Sequence, residues 1–254
     1  MKKKNVALNR QILSVMDNAD FHIVESYKAL RTNIMFSLPS VKEKTCRRIM
    51  ITSSCPSEGK TTTAVNLAVT LAEAEKKVLL IDADLRKPAV YKYFDIKITC
   101  GLSNLLSGMN KKEECVHSVK GIPNLYIINS GMRPPNPSEL LGSSAMRELL
   151  DIFAQEFDYI IIDTPPLKIF ADALSLVRCV DGVALVVSQN KSTYPELSKT
   201  ISALKFANAN ILGVILNKVK VSKRSKRSGA YHKYYGGNYL QNSDMYTDDS
   251  EDDE

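Results

Sequence analysis

Residues 47–61 read RRIMITSSCPSEGKT, an apolar segment that runs into a Ser- and Gly-containing loop and then a Lys-Thr pair. This pattern is typical of a strand followed by a phosphate-binding loop, a name used below for residues 54–61. Gly59 allows close approach of the backbone to a phosphate, since a Cβ there would clash. Lys60 is expected to meet the β- and γ-phosphates, and the Thr61 hydroxyl is expected to ligate Mg²⁺. The segment therefore predicts binding of a nucleoside triphosphate.

The loop departs from the usual pattern at its first position, where Ser54 replaces a Gly. Ser is small, so we expect the loop to close. Residues from Lys60 onward are predicted to begin a helix, whose dipole and free N–H groups favour an anion at that end. The alternative is a Gly/Ser/Pro turn that only joins a strand to a helix.

Two later segments carry carboxylates at or just after the end of a predicted strand. VLLIDADLRKP (78–88) places Asp82 and Asp84 two residues apart at the end of a second strand, and YIIID (159–163) ends in Asp163. Carboxylate oxygens are ligands that Mg²⁺ prefers. The loop and these two motifs, in this order, predict chemistry on a nucleoside triphosphate with Mg²⁺.

Strand-like and helix-like segments alternate along the chain. The predicted strands are 47–53, 78–82, 125–129, 159–163, 182–188 and 211–217, and the predicted helices are 60–76, 102–107, 138–155 and 195–206. The alternation predicts an α/β fold, a parallel β-sheet flanked by helices with right-handed crossovers. Ligands bind such sheets at the carboxyl ends of the strands. We therefore assign nucleotide binding to Ser57, Glu58, Gly59, Lys60, Thr61, Thr62, Asn217 and Lys218.

The composition indicates a soluble globular protein. The chain has 254 residues, of which 44% are apolar and 24% charged, as expected for one α/β domain with tails. No apolar stretch is long enough to cross a bilayer and no secretory signal is evident, so we expect a cytoplasmic protein. Five cysteines without CxxC spacing are expected to be free thiols, and Cys55 is interpreted as a passive loop residue rather than a redox sensor.

The net charge of +6 is unevenly distributed. Residues 218–227 hold six basic residues, whereas residues 244–254 hold seven acidic residues and no basic one. The basic stretch lacks interleaved aromatic residues, so we expect no nucleic-acid binding and interpret it as a solvated linker.

The C-terminal tail, residues 219–254, is rich in tyrosine. Five of the eleven tyrosines lie in the last 24 residues: Tyr231, Tyr234, Tyr235, Tyr239 and Tyr246. Their spacing fits neither a helix nor a strand, and the surrounding Gly, Ser and charged residues predict disorder. The tail is either a low-complexity segment or a set of phosphate acceptors, and the neighbouring nucleotide site favours acceptors.

Together these features resemble the bacterial tyrosine kinases that control capsule and exopolysaccharide synthesis. The resemblance runs from about residue 20 to the end. It rests on SCPSEGKTTTAVNLA, VLLIDADLRKP, IIIDTPP, RPPNPSELL and the tyrosine cluster. The first four are partly shared with other deviant P-loop ATPases of the MinD/ParA type. Typical members read PGEGK where this chain reads PSEGK, so Ser57 replaces a Gly.

The resemblance implies an arrangement in which the kinase is a separate cytoplasmic protein. A membrane activator of the polysaccharide chain-length regulator type would recruit it to the inner face of the membrane through its cytoplasmic C-terminal end. A cognate tyrosine phosphatase would reset the tail. ESYKALRTNI resembles the family's self-association helix, with Glu25 and Arg31 at interface positions of a ring-like homo-oligomer. The implied organisation is an oligomerisation segment (1–36), a kinase core (37–218) and the tail.

Each site residue has an expected role. Lys60, which we expect to face solvent before a nucleotide binds, would offset charge on the transferring phosphoryl group. Thr61, Asp82 and Asp163 would hold Mg²⁺ directly or through water. Asp84 is the candidate base for the tyrosine hydroxyl, and a salt bridge from Asp84 to Arg86 or Lys87 is the alternative.

Two rival functions fit part of the sequence. A MinD/ParA-like ATPase switch would explain the loop and the strands but not five clustered tyrosines. It would also usually carry a signature Lys near the start of the loop, and residues 53–58 contain none. A nucleotide-bound scaffold without chemistry does not require the carboxylates at the metal-facing positions.

Overall fold

The computed structural model describes residues 21–38, 46–94, 96, 99–189 and 191–219. The strands are β1 (Arg47–Ser53), β2 (Val78–Asp82), β3 (Val116–Ser118), β4 (Leu125–Ile128), β5 (Tyr159–Asp163), β6 (Gly182–Ser188) and β7 (Ile211–Asn217). The helices are α1 (Phe21–Ser37), α2 (Lys60–Glu73), α3 (Tyr91–Phe94), α4 (Leu102–Leu106), α5 (Lys112–Cys115), α6 (Pro137–Leu141), α7 (Ser144–Phe153), α8 (Asp172–Leu176) and α9 (Tyr194–Phe206), and a 3₁₀ turn spans Val177–Cys179.

The strands form one seven-stranded sheet in the order β3-β4-β2-β5-β1-β6-β7. Every pair is parallel except β3 with β4, which is antiparallel. The predicted α/β fold and all six predicted strands are confirmed, with small shifts at their ends. The sequence did not predict β3, because three half-exposed residues (VHS) at a sheet edge carry no apolar period. The sheet is therefore mixed rather than wholly parallel.

The helix predicted for residues 138–155 is two helices, α6 and α7. Gly142 ends α6, and the Ser143 hydroxyl caps α7 by accepting a hydrogen bond from the Met146 N–H. Ser138, a residue type that favours N-caps, is the predicted N-cap of this helix, but Asn136 occupies the N-cap of α6. The Ser138 hydroxyl instead donates to Asp172 at the start of α8.

A hydrophobic core lies on each face of the sheet. One is built from α2, with α1 outside it, against β1, β2 and β5; the other is built from α4, α7 and α8 against the opposite face. Strands β1, β2, β5 and β6 are almost wholly buried. The continuous apolar runs of β5, β6 and β7 predict burial on both faces, which is correct for β5 and β6 but wrong for β7, because β7 lies at the edge of the sheet and is partly exposed. Their carboxyl ends lie side by side at one edge, which we call the carboxyl edge. The opposite edge is the amino edge.

Within the described residues, no helix is both long enough and apolar enough to cross a membrane. The basic stretch beyond Val219, the five tail tyrosines and the acidic end lie outside the described residues, as do residues 1–20 of the predicted oligomerisation segment.

Candidate active site

The phosphate-binding loop leaves β1 and enters α2 through a left-handed residue. Gly59 has φ 97°, and a Cβ there would lie 2.0 Å from Nδ2 of Asn217. Glycine is therefore required at this position both by backbone conformation and by the side chain of β7. The sequence-based reason, approach to a phosphate, did not include Asn217.

The end of β7 holds the loop through two hydrogen bonds. Nδ2 of Asn217 donates to the carbonyl of Glu58 at 2.9 Å, and Nζ of Lys218 donates to the carbonyl of Ser57 at 2.7 Å. Ser57 has φ 60°, the left-handed region in which glycine is favoured over other residues. The backbone conformation at this position would therefore favour a glycine.

The Glu58 carboxylate ties the loop to the end of β6. It is fully buried and accepts hydrogen bonds from the Cys55 N–H at 2.6 Å and the Ser188 N–H at 3.2 Å. It also accepts one from the Ser192 hydroxyl. Sequence reasoning assigned Glu58 to the nucleotide but missed Ser188 and Ser192, which no motif marks. Glu58 therefore stabilises the conformation of the loop by hydrogen bonds within the loop and to the end of β6.

A cation and two carboxylates meet at the start of α2. Nζ of Lys60 lies 2.9 Å from Oδ2 of Asp84 and 3.5 Å from Oδ1 of Asp163, and the Thr61 hydroxyl donates to Oδ2 of Asp163 at 2.6 Å. Lys60 is only 9% exposed, so the expectation that it faces solvent is wrong. Burial works against its charged form, but Asp163 and Asp84 raise the pKa of Lys60. Lys60 is therefore a buried ammonium.

Asp82 lies beside Asp163, as the pairing of β2 with β5 requires. Oδ2 of Asp82 accepts hydrogen bonds from the Ala89 and Val90 N–H groups at 3.0 Å each, and Oδ1 accepts one from the Asp84 N–H at 3.2 Å. Burial and the neighbouring Asp163 raise the pKa of Asp82 to about 7. Burial also raises the pKa of Asp163, although Lys60 opposes the shift.

The alternative role considered for Asp84, a salt bridge to Arg86 or Lys87, is wrong. Arg86 instead pairs with Asp172, with Nε and Oδ2 2.6 Å apart, and lies over the Phe170 ring. Only the backbone N–H of Lys87 bonds Asp84. The Asp84 carboxylate therefore forms its ion pair with Lys60, beside the phosphate-binding loop.

The oxygen donors present fit Mg²⁺. Thr61, Asp82 and Asp163 supply hydroxyl and carboxylate oxygens, and Oδ1 of Asp163 is buried without a hydrogen-bond partner among the described residues. In that part of the chain, no three acidic, His or Cys side chains form a metal site by themselves. A dication here would take its remaining ligands from phosphates and water, as Mg²⁺ commonly does.

Two tyrosines that sequence reasoning overlooked contact the first turn of α2. The hydroxyls of Tyr93 and Thr62 are 2.8 Å apart, and Tyr27 in α1 hydrogen-bonds the side chain of Thr63. No motif signals these contacts, because the partners are distant in sequence. They join α1 and α3 to the helix that begins at Lys60.

The two predicted interface residues of α1 have partners within the chain. Nη1 of Arg31 donates to the carbonyl of Thr70 in α2 at 2.6 Å, and Glu25 pairs with Lys28 at 2.7 Å. Their role between subunits stays a prediction.

The five cysteines are free thiols, as expected, and all five are buried. Burial, and then Glu196, raise the pKa of Cys55. A raised pKa disfavours the reactive thiolate, in agreement with a passive loop position.

The chain matches known proteins over most of its length. A family model described as an AAA domain matches residues 46–213. The tyrosine-protein kinase YwqD of Bacillus subtilis (strain 168) is 39% identical over 242 residues, which are 94% of this chain and 98% of that protein. The chain belongs to the bacterial tyrosine kinase family.

Solved structures agree with this membership and with the MinD/ParA-like fold class. The chimerical protein CapA2B2 superposes with a TM-score of 0.77 at 34% identity, covering 84% of this chain and 92% of that one. The septum site-determining protein MinD of Pyrococcus horikoshii OT3, complexed with Mg-ADP, gives a TM-score of 0.60 at 28% identity, covering 70% and 73%. The resemblance inferred from the motifs is confirmed, and so is the P-loop fold.

Proposed function

We propose that this member of the bacterial tyrosine kinase family transfers the γ-phosphoryl group of ATP to the tyrosines of its own C-terminal tail. The observation that carries the proposal is the 2.9 Å contact between Nζ of Lys60 and Oδ2 of Asp84. It places a carboxylate next to the amine that would meet the phosphates. There it could accept the proton of an attacking hydroxyl, and the five clustered tail tyrosines favour tyrosine over water as the source of that hydroxyl.

Lys60 and Asp84 would divide the chemistry. Lys60 would offset charge on the transferring phosphoryl group, and Asp84 would accept the proton of the tyrosine hydroxyl. The tyrosine oxygen forms a bond to the γ-phosphorus while the bond to the bridging oxygen breaks, and ADP leaves. Phosphoryl transfer depends mostly on positioning and charge stabilisation, so a weak base suffices.

Thr61, Asp163 and Asp82 would hold Mg²⁺, which would neutralise charge on the β- and γ-phosphates when bound. Asp82 already accepts three backbone hydrogen bonds, which suits contact through water rather than direct ligation. Ser57, Glu58, Gly59 and Thr62 would form the cradle. Asn217 and Lys218 would act by holding its backbone.

The finer functional context is also proposed. A membrane activator would dock on the kinase and recruit it to the inner face of the membrane, and a phosphatase would reverse the reaction. Together they would regulate the synthesis of an extracellular polysaccharide. Support comes from membership of the family and from the similarity of the chain to CapA2B2, a chimerical protein. A ring formed through α1 would bring one subunit's tail to a neighbour's site.

A mixing experiment tests transfer between subunits. Lys60→Met protein with an intact tail is incubated with labelled ATP and active protein whose five tail tyrosines are Phe. We expect phosphate on the Lys60→Met chain, read by mass spectrometry with and without candidate activator peptides. Absence of phosphate on that chain, while the unmodified protein phosphorylates itself, would rule out transfer between subunits.

The second candidate is an ATPase switch, favoured only by the fold shared with MinD. It predicts release of phosphate from ATP with no phosphotyrosine on the chain. The same labelled ATP experiment separates the two functions, because only a kinase leaves label on the tail.

A further inference from the structure

Lys87 and Arg133 are exposed cations at the carboxyl edge, and neither has a counter-charge among the described residues. Lys87 follows β2 and Arg133 follows β4, and both side chains are exposed. Among the described residues neither side chain has an ion-pair or hydrogen-bond partner. Arg86, next to Lys87, differs because Asp172 and Phe170 occupy its guanidinium. Lys87 and Arg133 are therefore available to bind a ligand, whereas Arg86 is part of the scaffold.

The two cations lie on the same side of the site. Strands β2 and β4 are neighbours in the sheet, so the segments that follow them meet at the carboxyl edge. The Arg86–Asp172 ion pair and the bond from Ser138 to Asp172 join the loop after β2 to α6, which begins four residues after Arg133. The surface between these segments is named the acceptor rim and is defined by Lys87 and Arg133.

The sheet order places the rim beyond the transferring phosphate. From the phosphate-binding loop after β1, the sheet runs through β5 with Asp163 and β2 with Asp82 to β4. A γ-phosphate held by Lys60 would point toward these carboxylates, and an in-line nucleophile approaches from the far side. A tyrosine-bearing segment would therefore cross the rim.

The chain itself carries a segment of matching charge. Tyr246 is followed within eight residues by six carboxylates and by no basic residue. Opposite charges at a polar surface improve encounter and register more than they improve raw affinity.

We propose that the acceptor rim binds the acidic end of a C-terminal tail, residues 248–254, and so presents the tail tyrosines to the site. This inference rests on the proposed kinase function and names the charge of its substrate. It predicts acceptors with acidic residues after the tyrosine.

A binding assay without turnover tests the rim directly. A fluorescent peptide of residues 238–254 is titrated with the full chain and ADP, and anisotropy is recorded. A Lys87→Ala/Arg133→Ala protein should bind the peptide about 3- to 10-fold more weakly, since exposed charge pairs contribute modestly. Added salt should reduce the difference in peptide affinity between the unmodified protein and this variant. The matched control is Lys76→Ala/Lys120→Ala, which removes two exposed cations that precede β2 and β4 at the amino edge, and it should bind normally.

A second peptide makes the test specific to the acidic end. It carries amides in place of the six carboxylates: Asp248, Asp249, Glu251, Asp252, Asp253 and Glu254. The unmodified protein should bind it as weakly as the rim variant binds the native peptide, with little further loss when both changes are combined. Equal, independent losses from the two changes would overturn the proposal and assign the acidic end to other cations, such as residues 218–227.

A kinetic measurement separates this inference from the proposed function. With the same peptides as acceptors, the rim variant should raise KM and leave kcat unchanged. An unchanged KM with normal phosphorylation would refute the rim alone. Absence of phosphotyrosine with every protein would refute the kinase function, while the binding assay would still decide the rim.

Discussion

The charged side chains of the candidate site are buried at the carboxyl edge of the sheet, whereas the ion pairs at its amino edge are partly exposed. Lys60, Asp84 and Asp163 are 9%, 4% and 0% exposed. At the amino edge the side chains of Arg48 and its partner Asp151 are 13% and 59% exposed, and those of Lys112 and Glu156 are about two-fifths exposed. The same sheet therefore supports two different electrostatic arrangements.

The difference indicates what each edge is for. Removing charges from water costs free energy that their mutual attraction only partly offsets, so a buried ion cluster is weak evidence for stability. At the amino edge the pairs remain hydrated, and Lys77 lies over the Tyr126 and Phe157 rings at 5.5 and 5.0 Å. The buried charges at the carboxyl edge are consistent with the proposed binding of a nucleoside triphosphate and Mg²⁺. Four sets of substitutions test this comparison.

The largest effect is expected for Lys60→Met. Autophosphorylation should fall by about 10²-fold or more, since a preorganised charge at the transferring group is lost. The fold should survive, with a stability loss no larger than about 3–5 kcal/mol, because the buried carboxylates left behind can take up protons. Phosphotyrosine detection and thermal unfolding measure the two effects. Lys112→Met, which removes an amino-edge cation, should leave activity unchanged; a full signal from Lys60→Met would refute the site.

Asp82→Asn and Asp163→Asn should act through Mg²⁺. Each removes one negative charge from a site suited to a hard dication, so activity should fall most at low Mg²⁺, by about 10- to 100-fold. Asp172→Asn is the matched control, because that carboxylate is also buried but accepts hydrogen bonds from Arg86 and Ser138 rather than facing the metal site. Titration of activity with Mg²⁺ decides, and an unchanged Mg²⁺ dependence in both variants would argue against metal roles.

The sequence predicted the carboxyl edge well because its residues sit in order at the ends of apolar strands. Asp82, Asp84 and Asp163 each end or follow a continuous apolar run, and parallel pairing then places Asp82 beside Asp163. Lys60 and Thr61 follow from one contiguous motif. These positions can be predicted from a local sequence pattern and from the rule that the carboxyl ends of parallel strands lie on the same side of the sheet.

Contacts between distant segments were not predictable in this way. Asn217 against Gly59, Glu58 with Ser188, and Tyr93 with Thr62 join residues that no local period relates. The prediction that Lys60 is exposed was wrong for the same reason. Its burial depends on contacts with Asp84 and Asp163, which follow or end other strands. The edge strand β3 was missed because three residues carry too little pattern.

Substitutions in α1 test whether this helix joins subunits. Glu25→Ala and Arg31→Ala proteins should each scatter light as smaller species if these residues join subunits. Only Arg31→Ala should also lower the melting temperature, because Arg31 bonds Thr70 of the same chain whereas Glu25 pairs with the exposed Lys28. An unchanged mass for both would remove the oligomer interface from this helix.

The smallest effect is expected at Ser57, within the loop but outside the buried charge cluster. Its φ of 60° costs a residue other than Gly roughly 1–2 kcal/mol, so Ser57→Gly relieves strain in the folded chain. The added freedom of Gly in the unfolded chain offsets roughly 0.5–1 kcal/mol of that gain. The net change should be a slight rise in melting temperature.

The matched variant Ser57→Ala separates backbone strain from the hydroxyl. Alanine keeps the strain of a left-handed residue, so it should show no rise in melting temperature. Both variants keep the Ser57 carbonyl that accepts from Lys218, so the KM for ATP should change less than about threefold, as expected of a surface change. A large rise in KM with either variant would mean that the Ser57 hydroxyl itself contacts the nucleotide. Ser57 would then have a direct role in nucleotide binding, in addition to adopting an unfavourable φ.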